Sequence, residues 1–109
     1  MITVEQHANK LVIKGHAGSA DYGKDLVCAS ASILFYTLIA NLHEVELEGD
    51  CKVVVKESSG DCEVAVCACN EATDKVMDIF HYAMNGYRLL AENYPKNLQI
   101  LKHRNFDIE

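Results

Sequence analysis

The sequence predicts an α+β fold, a two-layer sandwich in which two helices cover one face of a mostly antiparallel sheet, in the order β-β-α-β-β-α-β. Two pairs of short segments, each pair separated by a turn, are rich in alternating or β-branched apolar residues, as in hairpins. Each pair is followed by a longer segment with apolar residues at steps of three and four, which is typical of a helix packed on a sheet. A chain of 109 residues can bury its own core, so we expect residues 1–109 to form a single domain.

The N-terminal half supplies the first hairpin and the first helix. Residues 2–6 and 10–14 are predicted strands, and Asn9 in the turn between them favours a left-handed conformation. After a loop over residues 17–25, Asp25 is the predicted N-cap of a helix that ends at about Leu42. The acidic segment that follows this helix is predicted to be a loop or a short edge strand.

The C-terminal half repeats the arrangement. Residues 51–56 and 62–69 are predicted to pair as an antiparallel hairpin, with the second strand in the centre of the sheet. Asn70 or Thr73 is the predicted N-cap of the second helix, which ends before Pro95. Residues 97–102 form the last predicted strand.

The most informative stretch joins the first hairpin to the first helix. His16 stands at the exit of the second strand, and Cys28 falls in the first turn of the predicted helix if Asp25 is its N-cap. Backbone N–H groups there lack intrahelical partners, so they would stabilise a thiolate. The intervening loop is long enough to bring His16 beside Cys28, which would pair a nucleophile with a base.

The residues of this stretch also carry a family resemblance. Gly15-His16-Ala17, followed by Gly23-x-Asp25-Leu26-Val27-Cys28-Ala29 and Ser32, resembles the signature of the bacterial ribosomal-processing cysteine proteases, the Prp family. The resemblance implies a cysteine endopeptidase that removes the short N-terminal extension of a large-subunit ribosomal protein. It implies a Cys28 thiolate as nucleophile, with His16 as general base and then general acid. The residues that it marks as substrate-binding or supporting are Gly15, Ala17, Gly23, Asp25 and Ser32.

The resemblance also implies a homodimer, and the exposed sheet face or a sheet edge is its expected surface. No cofactor is expected. The loop at residues 17–25 is expected to act as a lid. An alternative reading is a non-catalytic ribosome-associated module in which the same loop only binds a peptide or assists assembly. Thiol chemistry at Cys28 separates the two hypotheses, because only the enzyme needs an activated nucleophile.

Composition limits the possible partners. The net charge of −6 argues against direct nucleic-acid binding, which needs clustered Lys and Arg, and is compatible with a basic protein substrate. We expect no apolar run near the roughly 20 residues of a membrane helix, and no export signal at the N-terminus. The expected location is therefore the cytoplasm, with no membrane contact.

Five cysteines make an odd number, and reduced thiols are expected in the absence of an export signal. Cys51, Cys62, Cys67 and Cys69 could form a zinc site, but zinc sites usually separate each pair of cysteines by two to four residues. The close pair here, Cys67-x-Cys69, lies within a predicted strand. We therefore expect core cysteines and no metal.

Overall fold

The computed structural model describes residues 1–15, 22–58, 60–68 and 70–102, with the backbone alone described at residues 22–25, 70 and 102. The elements follow the predicted order and confirm the fold class. They are β1 (Ile2–His7), β2 (Lys10–Lys14), α1 (Tyr22–Leu47), β3 (Cys51–Ser58), β4 (Asp61–Ala68), a 3₁₀ turn (Asn70–Ala72), α2 (Thr73–Asn93) and β5 (Leu98–Lys102).

The five strands form one sheet in the order β3-β4-β2-β1-β5. Three of the pairings, β3 with β4, β4 with β2 and β2 with β1, are antiparallel, whereas β1 and β5 run parallel. The sheet is therefore mixed. Strand β4 has a neighbour on each side, as its apolar residues on both faces predicted.

The core lies between the two helices and the inner face of the sheet. Alternate strand residues point inward, because successive side chains of a strand face opposite sides. Each fully buried aliphatic or aromatic side chain stabilises the fold by about 1.5–3 kcal/mol. The buried apolar strand residues are Ile2, Val4, Leu11, Ile13, Val64, Val66 and Leu98, and Gln6 of β1 is buried as well. The buried helical residues are Val27, Ala31, Phe35, Leu38, Leu42 and Val45 of α1, and Val76, Phe80, Ala83, Met84 and Tyr87 of α2.

The bounds of α1 differ from the prediction at both ends. The helix begins at Tyr22, so Asp25 is not its N-cap, and residues 22–25 are helical instead of belonging to the predicted loop. An N-cap residue contributes only about 1 kcal/mol, which does not stop a helix from extending further toward its N-terminus. At the other end α1 runs to Leu47, through the segment predicted to be a loop or strand. Val45 is 4% exposed there and continues the buried stripe, which outweighs the local acidic composition.

Two local predictions are also wrong. The left-handed residue of the first turn is Ala8, with φ +54°, and not Asn9. Gln6 Nε2 donates to the Ala8 carbonyl, while the Asn9 side chain donates to the carbonyl of Val66 on β4, so contacts outside the turn fix its conformation. The N-cap of α2 is Ala72, without a side-chain hydrogen bond, because the 3₁₀ turn leads into the helix.

The apolar character of α1 exceeds the sequence-based expectation. The segment Leu26–Leu47 is 22 residues long and, by length and composition alone, apolar enough to cross a membrane. The prediction that no stretch approaches this length is therefore wrong. Val27, Phe35 and Leu42 of this segment are buried in the core, and 28% of its most apolar window is buried in the fold.

Candidate active site

Cys28 lies in the wall of a pocket between α1 and one end of the sheet. The cavity has a volume of about 180 Å³. Its lining is mainly apolar, with glycine backbone from the end of β2 and from the β3–β4 turn. The lining residues are Ile2, Ile13, Gly15, Cys28, Ala31, Ser32, Phe35, Tyr36, Gly60 and Cys62.

Helical spacing explains why α1 contributes a continuous wall. Residues three, four and seven positions apart share one face of a helix, and Ala31, Ser32 and Phe35 follow Cys28 at these spacings. Phe35 is buried, Cys28 is half-buried, and Ser32 is exposed at the open side. The half-buried Cys28 thiol therefore faces a cavity that could receive an apolar group.

Gly15 fixes the position where the chain leaves the sheet toward His16. Its N–H donates to the Gly60 carbonyl at 2.7 Å, which ties the end of β2 to the β3–β4 turn. The backbone of Gly15 has φ +92°, and a Cβ there would overlap the carbonyl oxygen of Met1. Only glycine fits this position without strain.

A polar contact joins the pocket wall to β3. The Tyr36 hydroxyl donates to Oε2 of Glu57 at 3.1 Å, which links α1 to β3. This hydrogen bond, together with the negative charge of Glu57, raises the pKa of Tyr36. Burial raises the pKa of the Cys62 thiol, and the charges of Glu57 and Asp61 raise it further. The second cysteine of the pocket is therefore held in its neutral form.

A buried hydroxyl supports the helix on which Cys28 lies. Tyr87 of α2 is fully buried, and its hydroxyl donates to the Ala31 carbonyl at 2.9 Å. Burial raises the pKa of this phenol well above its ordinary value. Because Ala31 lies one turn after Cys28, this hydrogen bond holds the pocket wall against α2.

The structure brings together three of the predicted site residues, Gly15, Cys28 and Ser32, around one pocket. His16 and Ala17 lie outside the described residues, as does the predicted loop from residue 17 to residue 21. Gly23 and Asp25 lie within the first turn of α1.

The longer helix changes the argument for thiol activation. Cys28 is the seventh residue of α1, and so it is not among the first four residues, whose N–H groups lack intrahelical partners. The expectation that the helix terminus directly stabilises a Cys28 thiolate is therefore wrong, because the helix starts three residues before Asp25.

Sequence reasoning missed several pocket residues. Alternation along β4 could have placed Cys62 on the same inner face as Val64, since they are two residues apart. Tyr36, Glu57 and Gly60 carried no comparable signal, because their proximity depends on the packing of α1 against β3 and on the turn between β3 and β4.

The other cysteines of the described chain are dispersed. Cys51 lies at the far end of β3, with its Sγ 3.7 Å from the Leu42 carbonyl oxygen, and Cys67 is exposed on the outer face of β4. Within the described ranges, no group of three or more His, Cys, Asp or Glu residues is arranged to hold a metal ion.

A half-buried thiol in the wall of an apolar pocket can act as a nucleophile toward a carbonyl group, which is the chemistry of the thiol hydrolases. The family model of the cysteine protease Prp matches residues 1–99. The match covers most of the chain, and the chain therefore belongs to the cysteine protease Prp family. The resemblance seen in the sequence is confirmed.

Solved structures share the fold. The ribosomal processing protease Prp from S. aureus, in complex with a substrate peptide, has a TM-score of 0.74 at 19% identity, covering 94% of this chain and 100% of that chain. The same protease with a covalently linked product peptide gives 0.74 at 20% identity with the same coverage. The protein SMU.848 from Streptococcus mutans gives 0.71 at 28% identity, covering 94% of this chain and 96% of that chain. No curated protein sequence matches the chain.

Proposed function

We propose that this protein is a cysteine endopeptidase that removes the short N-terminal extension of a large-subunit ribosomal protein. The observation that carries the proposal is the position of Cys28 in the wall of an apolar pocket, beside Gly15, the residue directly before His16. Membership of a cysteine protease family supports the reaction type. A Prp structure that holds a substrate peptide supports a peptide ligand.

In the proposed mechanism His16 takes the thiol proton of Cys28, and the thiolate attacks the carbonyl carbon of the scissile peptide bond. The tetrahedral intermediate collapses when the C–N bond breaks and His16 returns the proton to the leaving amine. The product is a thioester between Cys28 and the N-terminal fragment. Water, deprotonated by His16, then hydrolyses this thioester, which restores the thiol and releases the fragment as a carboxylate.

The remaining motif residues have supporting roles in this proposal. Gly15 sets the exit of the chain toward His16, and Ser32 offers a hydroxyl at the open side of the pocket, where a peptide group would lie. Ala17, Gly23 and Asp25 would shape the segment between His16 and Cys28. The whole chain, residues 1–109, acts as one domain without a cofactor.

The proposed setting is the cytoplasm, where ribosomal proteins are made, with no membrane and no direct nucleic-acid contact. A net charge of −6 favours a basic protein substrate over phosphate groups.

Two copies are proposed to associate through the outer face of the helices, whereas the sequence analysis expected the exposed sheet face or a sheet edge. Ile33 and Leu89 are 63% and 60% exposed and line one groove of about 400 Å³ between α1 and α2. The outer sheet face instead carries charged residues, among them Lys52 and Lys56. Light scattering should show a dimer that Ile33→Glu converts to a monomer. Val54→Glu, at a residue 49% exposed on the sheet face, is the control, and disruption by this variant instead would assign the interface to the sheet.

Cleavage of the substrate tests the main proposal. The purified protein is incubated with a ribosomal protein that carries its N-terminal extension, and the products are identified by mass spectrometry. We expect loss of the extension with the wild type, no cleavage with Cys28→Ser or His16→Ala, and unchanged cleavage with Cys67→Ser, a cysteine on the opposite face of the sheet. Cleavage that survives Cys28→Ser would overturn the assignment of the nucleophile.

Alkylation of Cys28 tests the alternative of a non-catalytic peptide-binding module. Iodoacetamide labelling of each cysteine is followed against pH by peptide mass spectrometry, in wild type and in His16→Ala. An activated nucleophile reacts at lower pH than Cys51 and Cys62, and loses this advantage without His16. Equal reactivity of all three cysteines in both proteins would favour the binding module.

A further inference from the structure

The rim of the pocket carries a carboxylate on an otherwise apolar face. Along β3 the inner-face residues are Cys51, Val53, Val55 and Glu57, since alternate residues share a face. Glu57 pairs in register with Cys62, which lines the pocket, and accepts the hydroxyl of Tyr36, which lines it as well. The carboxylate is thus held beside Tyr36, a residue of the pocket wall, by a specific hydrogen bond.

The carboxylate of Glu57 lies beyond ion-pair distance of Lys14 and Lys56, two cations that share a surface groove with it. Glu57 forms no ion pair with any residue of the described ranges, and its hydrogen bond from Tyr36 uses only Oε2. Lys56, its neighbour in β3, has its side chain on the opposite face of the sheet. Asp61 adds a second negative charge close enough to raise the pKa of Cys62. Oε1 is therefore the part of Glu57 that can receive a cation.

Helix geometry gives the offset along α1 between Cys28 and Tyr36, the residue that holds the Glu57 carboxylate. Tyr36 follows Cys28 by eight residues on α1, which corresponds to about 12 Å along the helix axis. An extended peptide advances about 3.3 Å per residue, so about 12 Å corresponds to three or four residues. A peptide that runs along α1 with its carbonyl at Cys28 therefore brings a side chain three or four residues away level with Tyr36, whose hydroxyl holds Glu57.

We propose that Glu57, oriented by Tyr36, is a specificity-determining residue that pairs with a Lys or Arg side chain three or four residues from the scissile bond. The proposal rests on the proposed function, because it assumes that a peptide lies across the pocket with its carbonyl at Cys28. An ion pair at a partly exposed site contributes up to about 1 kcal/mol, or about a fivefold preference, and a bidentate Arg contributes more.

The test is a set of peptides of one uncharged sequence in which Lys occupies, in turn, each of the four positions before and after the scissile bond. The ratio of kcat/KM for each Lys peptide to that for the uncharged parent is measured with the wild type. We expect a ratio clearly above one, of up to about five, at one position three or four residues from the scissile bond. The ratio should fall as salt is added, because an exposed ion pair is screened.

Three variants locate the source of the preference. Glu57→Gln keeps an acceptor for Tyr36 and should reduce the ratio to about one, and Glu57→Lys should favour Glu over Lys at the same position. Glu63→Gln is the matched control, because it removes a half-buried carboxylate on the outer face of β4. This carboxylate approaches Lys10 and does not line the pocket. A Lys preference that persists in Glu57→Gln, or that Glu63→Gln abolishes, would overturn the assignment.

Binding measurements separate a failure of this inference from a failure of the proposed function. The affinity of Cys28→Ser for the same labelled peptides is measured by fluorescence anisotropy. Cleavage without a Lys preference overturns the role of Glu57 and leaves the protease intact. A Lys preference in binding, dependent on Glu57 but without cleavage by the wild type, overturns the protease and keeps the subsite. Neither cleavage nor binding of any peptide overturns both.

Discussion

Replacement of Gly15 by alanine tests whether the backbone beside the pocket requires glycine. A side chain at φ +92° costs about 1–2 kcal/mol, because its Cβ crowds the following carbonyl. The new Cβ would also overlap the Met1 carbonyl oxygen, and relief of such an overlap costs about 1–3 kcal/mol more. We therefore expect Gly15→Ala to lower the free energy of unfolding by about 2–5 kcal/mol.

Gly49→Ala is the matched control for this substitution. Gly49 has φ +85°, and a Cβ there would meet nothing within 4 Å, so only the conformational cost of about 1–2 kcal/mol applies. The gain from a less flexible unfolded chain is the same for both variants and cancels in the comparison. Urea denaturation should find Gly15→Ala less stable than Gly49→Ala by about 1–3 kcal/mol. Equal losses would refute the argument that the Met1 carbonyl excludes a side chain.

Two further predictions concern stability. Tyr87→Phe should lower the free energy of unfolding by about 1 kcal/mol, because it removes the buried hydrogen bond to the Ala31 carbonyl; denaturation curves that coincide with the wild type would contradict this. Glu46 accepts a hydrogen bond from the Val53 N–H at 2.7 Å, which lowers its pKa from the usual 4.5. It therefore stabilises the fold above that pH, and the stabilisation is lost as the pH falls through the lowered pKa. The Glu46→Gln variant should be less stable than the wild type at pH 5, and this difference in the free energy of unfolding should shrink as the pH falls to 3. Melting temperatures measured across this range test the prediction.

Local sequence patterns were sufficient for the order of the elements and for the candidate nucleophile. Apolar residues alternate along β1 and β4 and recur at steps of three and four in α2. These periods show which side chains are buried, and they can be read from the sequence alone. The motif around Cys28 was likewise readable, because its residues are close along the chain. Local signals were weaker at element ends, since a cap such as Asp25 contributes less than the packing of a residue such as Val45.

Only the tertiary structure decided the parallel pairing of β5 with β1 and the composition of the pocket. Gly60 and Cys62 line the same pocket as Cys28 although they are more than 20 residues away along the chain, and Glu57 contacts Tyr36 across 21 residues, through the packing of α1 on the sheet. The exact start of α1, which removes Cys28 from the helix terminus, also depended on it. The sequence by itself determined which residues could be buried and which thiol is the candidate nucleophile. Which groups surround that thiol is decided by long-range packing, because no local pattern encodes a contact between distant segments.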